Sequence, residues 1–427
     1  MLRIKLLIVC SFLLSVFIVN AQLTYDTPES VGLDSHYIQP KVDSIITTGI
    51  KQEAFPGAQL LVAKKGKIIF HQAYGYHTYD SIQRVELDDI YDLASVTKIT
   101  GPLPALMKLY EEGKLDMDKP FSTYWKSWKH RKDKKDITLR ELLAHQSGLQ
   151  SYIVFLNEVT KNGKVKKRFI RYEKSKRFSK QVYSNIYANK RFNKVMFRKI
   201  KKSKVNAEKV YLYSGMASLI YPQLIEDITH KPYQTYLDEN FYEPLGCKTF
   251  GYLPTKKHFK NHIVPTEIDT VFRKELTTAY VHDENAALLG GVSGNAGLFG
   301  SALDLAIIMQ MYMQKGEYNG KQYLKPSTVN EFIRIQYPEN NNRRGLGFDK
   351  PLIGNDTLSI DKAYPAPEVS PESFGHSGFT GTFVWADPKA ELVFVFLSNR
   401  VYPSRTHTNI YDLNIRPALQ EVFYLVE

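Results

Sequence analysis

Residues 91–113, YDLASVTKITGPLPALMKLYEEG, contain a serine and a lysine three residues apart at the predicted start of a helix. Positions i and i+3 lie on one face of a helix, so the Lys98 amine is expected beside the Ser95 hydroxyl, where it can help to remove the proton. Apolar residues continue at near-helical spacing to a stop at Gly113. The stretch therefore predicts an activated serine nucleophile.

A Ser-x-x-Lys pair is weak evidence by itself. Ser359 and Lys362 form the same pair in a polar stretch without a helical pattern, and short motifs often match by chance. Pro102 and Pro104 also count against a regular helix, although the first turn of a helix tolerates proline. The pair at Ser95 needs partners elsewhere in the chain before it predicts chemistry.

The composition is typical of a soluble globular protein, since 43% of the 427 residues are hydrophobic and 24% are charged. A chain of this length forms one large domain or two lobes. We find no paired Cys and His at metal-ligand spacing and no phosphate-binding glycine loop of the usual kinds. The sequence therefore predicts no metal site and no cofactor.

Residues 1–21 have the three-part form of a secretory signal peptide, with basic residues ahead of an apolar run from Leu6 to Val19. This run of 14 residues is short for a membrane span. Cleavage after Ala21 is therefore expected, and an uncleaved N-terminal anchor is the alternative. Cleavage leaves residues 22–427 as an exported domain in the periplasm or cell envelope, with Cys247 as its single cysteine and no internal disulfide.

Positive charge is concentrated between Lys161 and Lys204, where 18 Lys or Arg face one acid, Glu173, for a net charge of +17. The rest of the chain carries −4 of the total of +13. Aromatic residues interleave with these charges: Phe169, Tyr172, Phe178, Tyr183, Tyr187, Phe192 and Phe197. We predict a basic insertion at about residues 160–204 that binds an anionic envelope polymer, and no nucleic acid because the chain is exported. The alternative is a solvated insertion or lid whose aromatics pack on the main body.

Strand-like runs near both ends of the chain predict one shared sheet. One hairpin is expected around Lys65-Gly66 and another around Asp387-Pro388. An amphipathic helix should follow the Asp34-Ser35 cap, and a further helix should close the chain over residues 410–426. We therefore predict an α/β fold of the α+β type: an antiparallel sheet built from the N- and C-terminal segments, flanked by helices, with a mostly helical middle lobe.

Three local signals lie between these ends. Residues 137–149 predict a short helix that ends at a loop with His145, which would cap or orient that loop below the serine. Ser301-Ala-Leu-Asp304 has the spacing of a capping box for a helix through Gln314. The polar run from Asn340 to Arg344 predicts an exposed loop.

Three motifs stand in a fixed order along the chain: Ser95-Val-Thr-Lys98, Tyr213-Ser-Gly215 and His376-Ser-Gly378. Together they resemble the active-site motifs of the serine β-lactamase-like superfamily, in the branch of class C β-lactamases, DD-peptidases and related esterases. LLAHQSGL at 142–149 and the glycine-rich stretch at 281–299 are similar to sequences of this branch, the second one to envelope penicillin-binding proteins. The resemblance covers nearly all of the mature chain and implies a β-lactamase/transpeptidase-like fold.

The resemblance implies that Ser95 attacks a carbonyl group and forms an acyl-enzyme. Lys98 can act as the base, and similarity to the family assigns Tyr213 to the same proton transfers. By analogy, the backbone N–H groups of Ser95 and Phe379 bind the oxyanion. The implied substrate and oxyanion residues are His376, Ser377, Gly378 and Phe379. The expected substrate is a small molecule or derived from peptidoglycan: a D-Ala-D-Ala-type muropeptide, a β-lactam or a small ester.

Two positions depart from the family pattern. Gly215 stands where the second motif commonly has Asn, Asp or Ser, so a side chain that would bind the amide carbonyl of the substrate is missing. His376 stands where many members have lysine, and its reference pKa of about 6.5 leaves it largely neutral at neutral pH. We expect ester hydrolysis to exceed β-lactam hydrolysis. The alternative is a module of this fold that binds cell-wall or anionic envelope polymer with little or no turnover.

His282, Asp283 and Glu284 look like a catalytic cluster because they are three consecutive titratable residues. Consecutive residues on a helix or strand cannot all face one point. We therefore interpret them as mainly structural and expect Asp283 to cap the next helix.

Overall fold

The computed structural model describes residues 22–257, 259 and 261–425. The predicted signal peptide, residues 1–21, lies outside the described residues. Within the described ranges, no helix is long and apolar enough to cross a membrane.

Segments from both ends of the chain form one six-stranded sheet. Its order is Thr24–Tyr25, Lys67–Gly75, Gly57–Lys64, Leu392–Ser398, Phe383–Asp387 and Phe374–Ser377. The first strand is parallel to its neighbour, and the other pairings are antiparallel. The N-terminal and C-terminal segments join where strand Leu392–Ser398 pairs with strand Gly57–Lys64, with Phe396 opposite Leu60. The predicted α+β fold with a shared sheet is therefore confirmed.

Both faces of the sheet are covered, which explains why its central strands are apolar almost throughout. Neighbouring side chains on a strand point to opposite faces, so Leu60 joins one buried cluster and Leu61 joins the other. The first cluster is closed by helices from the two ends of the chain, Ser35–Lys51 and Ile415–Glu421. On the other face, helix Ala302–Met313 packs against the sheet and leads into the larger lobe.

Two local predictions near the N-terminus are confirmed. The Asp34 carboxylate caps helix Ser35–Lys51 by accepting the His36 N–H at 2.8 Å. The hairpin turn has positive φ at both central residues, 51° at Lys65 and 76° at Gly66. This backbone is that of a type I′ turn, whose twist matches that of the paired strands.

The middle of the chain forms a mostly helical lobe, as predicted. Its described residues include the helices Thr97–Thr100, Pro102–Glu111, Leu139–Leu143, Leu156–Val159, Phe192–Lys202, Tyr221–Thr229, Tyr233–Leu237, Glu243–Leu245, Pro254–Lys257, Glu284–Leu288, Ala302–Met313 and Pro326–Ile333. A small sheet of Gly251–Tyr252, Leu298–Gly300 and Tyr91–Asp92 lies in the same lobe. The last of these strands leads directly into Ser95.

Two predicted helices are interrupted. The helix that starts at Ser95 breaks at Gly101 and resumes as Pro102–Glu111, where proline occupies the tolerated first position. The helix predicted over residues 410–426 is divided by Asn414, whose φ is 50°. An L-residue in this left-handed conformation cannot continue a right-handed helix.

The predicted capping box at Ser301 and Asp304 is wrong. Ser301 does precede helix Ala302–Met313, but its side chain makes no capping hydrogen bond. Instead, its hydroxyl accepts a hydrogen bond from Thr249 Oγ1 at 2.9 Å. The Asp304 carboxylate accepts the Thr249 N–H at 2.6 Å. Thr249 therefore forms the hydrogen bonds of Ser301 and Asp304 that the local pattern assigned to the helix cap.

The segment from residue 160 to residue 204 folds into short strands and one amphipathic helix. Its strands are Thr160–Lys161, Lys164–Val165, Ile170–Arg171, Lys180–Tyr183 and Ile186–Ala188. Helix Phe192–Lys202 buries Phe192, Met196 and Ile200 in the large core. Part of the aromatic side chains of the segment therefore pack inward, while most of its charges face solvent.

Candidate active site

Ser95 lies in a short 3₁₀ turn, Ala94–Val96, that runs into the helix Thr97–Thr100. Lys98 follows one turn later, and its Nζ donates a hydrogen bond to Ser95 Oγ at 2.8 Å. Lys98 is 7% exposed, and Nζ also donates to the Asn295 carbonyl at 3.1 Å. The serine and lysine of the first motif are therefore in contact.

The backbone just before the serine is left-handed. Ala94 has a φ of 46°, a conformation that costs an L-residue about 1–2 kcal/mol. The Asp92 carboxylate holds this turn by accepting the Ala94 N–H at 2.9 Å, and it also accepts the His282 N–H at 2.6 Å. Asp92 is buried, and burial raises its pKa. No sequence motif includes Asp92, although it fixes the turn that presents Ser95.

Tyr213 approaches Ser95 from the segment that follows the basic insertion. Its phenol oxygen lies 3.2 Å from Ser95 Oγ, and Lys98 Nζ lies 5.2 Å from the centre of its ring. Burial by itself raises the pKa of this phenol, but the positive charges of Lys98 and Arg344 outweigh burial and hold the pKa below its ordinary value of 10.0. The structure thus brings Ser95, Lys98 and Tyr213 together around one oxygen atom.

The exposed loop predicted for Asn340 to Arg344 is wrong for the second half of that run. Asn342 is buried, and Arg344 is 4% exposed. Arg344 pairs with Asp349 at 3.4 Å, and its guanidinium carbon lies 5.2 Å from the centre of the Tyr213 ring. Sequence reasoning missed Arg344 because Tyr213 is far away from it in the chain, and a polar run is usually solvated.

His145 holds the backbone on both sides of Tyr213. Its carbonyl accepts the Leu212 N–H at 3.0 Å, and its Nδ1 accepts the Ser214 N–H at 3.2 Å. Burial, together with nearby positive charges, keeps the pKa of His145 well below 6.5. The ring is therefore neutral and Nδ1 keeps the lone pair that it uses as an acceptor. His145 orients this loop, as the sequence suggested.

His376 and Ser377 of the third motif end the edge strand Phe374–Ser377. Gly378 follows the strand and lies against Leu93 and Ala94, in the turn that carries Ser95. A Cβ added at Gly378 would lie 2.0 Å from Thr382 Oγ1 and 2.7 Å from the Leu93 carbonyl oxygen. Thr382 Oγ1 itself donates to that carbonyl at 3.1 Å. Glycine is therefore required at this position for the two segments to approach each other.

Ser95 and Phe379 line the same cleft. Among the described residues, no protein acceptor is hydrogen-bonded to the backbone N–H of either one. Two free N–H groups beside a nucleophile are what an oxyanion hole requires. The Phe379 ring is 47% exposed and forms part of the rim.

His376 is 2% exposed, and its Nδ1 donates to the Ser377 carbonyl at 2.7 Å. Its ring centre lies 6.0 Å from that of Tyr213. Burial and the positive charges of Arg344 and Lys98 lower the pKa of His376 from 6.5 to about 3. The ring is neutral at physiological pH, as expected, so it offers no cation to a substrate carboxylate.

Gly215 also lines the cleft, with its N–H donating to the Ser151 carbonyl at 3.1 Å. In the described part of the chain, no atom lies within 4 Å of the position that a Cβ would occupy. Neither φ nor packing therefore requires glycine here. The missing side chain leaves open space in the same cleft as Ser95.

The cleft has a volume of about 550 Å³. Large apolar side chains that are exposed to solvent line its mouth: Tyr152, Val154, Val271 and Phe379. Such side chains bind the apolar parts of a ligand, while the polar groups near Ser95 fix its orientation.

His282, Asp283 and Glu284 all line the cleft, but His282 pairs with Glu267 and Glu284 pairs with Arg405, contacts that agree with a mainly structural role. The chain turns at Asp283, whose carboxylate accepts the Ala286 N–H at 2.8 Å and caps helix Glu284–Leu288. The predicted cap is therefore confirmed. Asp283 also accepts a hydrogen bond from the Asn295 amide at 3.1 Å, which links it to the residue that binds Lys98.

Three carboxylates, those of Glu267, Asp269 and Glu284, have oxygens within 4.8 Å of one another. Arg405 contacts both Glu267 and Glu284, and Arg273 lies 3.1 Å from Asp269. Each of the three carboxylates is therefore paired with an arginine side chain. The three carboxylates belong to an ion-pair cluster, of which Glu284 and Arg405 line the cleft.

A family model described as Beta-lactamase matches residues 42–416. The chain belongs to the beta-lactamase family. The matched range contains Ser95, Tyr213 and His376, the leading residues of the three motifs. Membership of the beta-lactamase family makes the protein a beta-lactamase-like serine hydrolase, and the resemblance inferred from the motifs is confirmed.

Relatives and structural neighbours of this beta-lactamase family member cover nearly the whole chain. A "Putative D-alanyl-D-alanine carboxypeptidase" of Salmonella gallinarum is 29% identical over 440 residues, which cover 96% of this chain and 95% of that protein. EstCE1, a hydrolase with promiscuous acyltransferase activity, has a TM-score of 0.63 at 18% identity and covers 90% of this chain and 98% of its own. A penicillin-binding protein homologue from Caulobacter crescentus has a TM-score of 0.63 at 16% identity, and the match covers 91% of this chain and 98% of that one. The two structures show a shared fold.

Proposed function

We propose that the protein cleaves an amide or ester through an acyl-enzyme on Ser95, and that its substrate is a peptide ending in D-Ala-D-Ala or a small ester. The observation that carries this proposal is the joint contact of Lys98 Nζ and Tyr213 OH with Ser95 Oγ, at 2.8 and 3.2 Å. A nucleophile in contact with a group that can take its proton is the basic requirement of acyl transfer.

Tyr213 is the base in this mechanism. The charges of Lys98 and Arg344 stabilise its phenolate, which takes the proton from Ser95 as Oγ bonds to the substrate carbonyl carbon. The N–H groups of Ser95 and Phe379 bind the oxyanion. Tyr213 then protonates the leaving amine or alcohol as its bond to the carbonyl carbon breaks. Water attacks the resulting ester, releases the acid and restores the Ser95 hydroxyl.

Two observations bear on the substrate. The relative that is 29% identical over almost the full chain carries the name of a D-alanyl-D-alanine carboxypeptidase, which supports a muropeptide. The neutral His376 and the open space at Gly215 support an ester, because neither position binds the carboxylate and amide of a peptide or β-lactam. We therefore expect weak β-lactam hydrolysis.

The proposed location follows from this substrate class. Peptidoglycan lies outside the cytoplasmic membrane, so an enzyme that acts on it must be exported. We propose that residues 1–21 are a signal peptide cleaved after Ala21, and that residues 22–427 act as one domain in the periplasm or cell envelope.

A substrate panel tests the proposal. Wild-type protein and the Ser95→Ala variant are given p-nitrophenyl acetate, nitrocefin and a pentapeptide that ends in D-Ala-D-Ala. Wild-type protein should hydrolyse the ester faster than nitrocefin, and Ser95→Ala should lose at least about a thousandfold in kcat. Rates that survive in Ser95→Ala would overturn the role of Ser95. No turnover of any substrate would favour the second candidate, a binding module, which the missing side chain at Gly215 supports.

A further inference from the structure

The basic insertion contains a second cleft, separate from the one that holds Ser95. Its volume is about 520 Å³, and none of its lining residues lines the Ser95 cleft. Four positive side chains line it, those of Lys176, Arg177, Lys190 and Arg191, together with the rings of Phe169 and Phe192. The cleft therefore combines an apolar floor with a positive rim.

The positive charge around this cleft is not neutralised by the protein. In the described ranges, none of the four cations has a carboxylate within 4.0 Å, and the ion pair made by residues 161–204 joins Lys199 to Glu158 at 2.9 Å. The single acid of the segment, Glu173, is exposed. Like charges that gather without partners repel one another and destabilise the fold. An anionic ligand would remove this repulsion.

Backbone hydrogen bonds and packed rings hold the walls of the cleft. The Lys190 N–H donates to the Arg177 carbonyl at 3.0 Å, and the Asn189 N–H donates to the Phe169 carbonyl at 2.8 Å. The rings of Phe169 and Phe192 meet edge to face at 5.3 Å, and Phe192 is buried. The four cations are therefore gathered by the fold itself.

The positive surface continues beyond the cleft along helix Phe192–Lys202. Lys194, Arg198 and Lys202 are exposed on its outer side at intervals of four residues. A linear stripe fits a chain of anionic groups better than a single small anion. A membrane fits less well, because Tyr172 is the one large apolar residue exposed in the described part of the segment.

We propose that this cleft and the adjoining stripe bind a linear glycan that carries phosphate or carboxylate groups. The sugar rings lie against the part of Phe169 that lines the cleft, beside Arg168, whose guanidinium carbon lies 4.6 Å from the centre of that ring. The anionic groups pair with the lysine and arginine side chains. Binding at this site holds the enzyme on an anionic envelope polymer and leaves the Ser95 cleft free.

Binding of purified protein to three polysaccharides tests this proposal: phosphomannan for phosphate, polygalacturonate for carboxylate and dextran as a neutral chain. The cleft variant combines Lys176→Gln, Arg177→Gln, Lys190→Gln and Arg191→Gln. The matched control combines Lys126→Gln, Lys129→Gln, Lys132→Gln and Lys362→Gln, which removes the same charge from exposed positions elsewhere. Binding is measured at about 0.15 M salt, where long-range attraction between exposed charges is screened.

The cleft variant should bind at least one anionic glycan about tenfold more weakly than wild-type protein, while the control should change by less than about threefold. The better ligand identifies phosphate or carboxylate as the natural group. An equal loss in both variants, no binding of either anionic glycan by wild-type protein, or tighter binding to phosphatidylglycerol vesicles would overturn the proposal. Ester hydrolysis should be equal in all three proteins, so failure of this site is distinguishable from failure of the Ser95 mechanism.

Discussion

The guanidinium carbon of Arg344 lies 5.2 Å from the centre of the Tyr213 ring, and Lys98 Nζ lies at the same distance from that ring. Two positive charges thus lie near the Tyr213 ring while its phenol oxygen contacts Ser95 Oγ. Burial alone would raise the pKa of this phenol, and the two charges reverse the direction of the shift. In the proposed mechanism, proton transfer from Ser95 therefore depends on an arginine that no motif contains.

Replacing Arg344 with Gln should move the acidic limb of the kcat/KM profile to higher pH by about one unit. The lost charge raises the pKa of Tyr213, so more alkaline solution is needed to form the phenolate. Arg344→Lys keeps the charge and is the control. The acidic limb of its kcat/KM profile should lie close to that of wild-type protein. Circular dichroism checks folding, and an unchanged limb in a folded Arg344→Gln protein would show that Tyr213 is not the titrating base.

Gly215→Asn should increase acylation by nitrocefin about fivefold relative to hydrolysis of p-nitrophenyl acetate, because one new hydrogen bond to the amide carbonyl contributes about 1 kcal/mol. The open space at this position accommodates the side chain. Gly215→Ala enters the same space without an amide and is the matched control. If both variants behave alike, the missing amide is not what limits β-lactam turnover.

The buried His376 should make the protein less stable in acid. Its pKa is about 3 in the folded protein, against 6.5 in an unfolded chain, so between these values only the unfolded chain binds the proton. The stability from the neutral ring is complete above pH 6.5 and is lost as pH falls, by up to about 1.4 kcal/mol per pH unit. Urea unfolding at several pH values should give a steeper fall for wild-type protein than for His376→Gln, and parallel curves would contradict a neutral buried ring.

Asp92→Asn should lower the free energy of unfolding by about 1–3 kcal/mol, because one of the two N–H groups that the carboxylate accepts would face an amide NH₂. A looser turn at Ala94 should also lower kcat more than it raises KM. Asp88→Asn, at an exposed position four residues earlier, is the control and should change neither quantity. Wild-type kcat in a folded Asp92→Asn protein would show that the turn needs no such support.

The parts of the fold that the sequence predicted correctly are determined by residues that are adjacent in the chain. The Asp34 cap, the Lys65-Gly66 turn and the Asp283 cap each need only a few adjacent positions, and local chemistry decides them. The capping box at Ser301 failed because Thr249, far away in the chain, occupies the same polar groups. A local pattern cannot show that competition.

The same distinction applies to the site. Ser95, Lys98 and Tyr213 were predicted because each belongs to a motif and the motifs occur in a known order. Asp92 and Arg344 belong to none, and a lone carboxylate or a polar run is usually solvated. Their importance arises from burial against the motif residues, which only the three-dimensional structure shows.

Whether the Ser95 hydroxyl is the activated nucleophile can be read from a covalent probe. A fluorophosphonate should add to wild-type protein, and peptide mapping by mass spectrometry should place the adduct on Ser95. Ser95→Ala should remain unlabelled, and Tyr213→Phe should be labelled about a hundredfold more slowly because the base is missing. An adduct on another residue, or labelling that persists in Ser95→Ala, would contradict the assignment of Ser95 as the nucleophile.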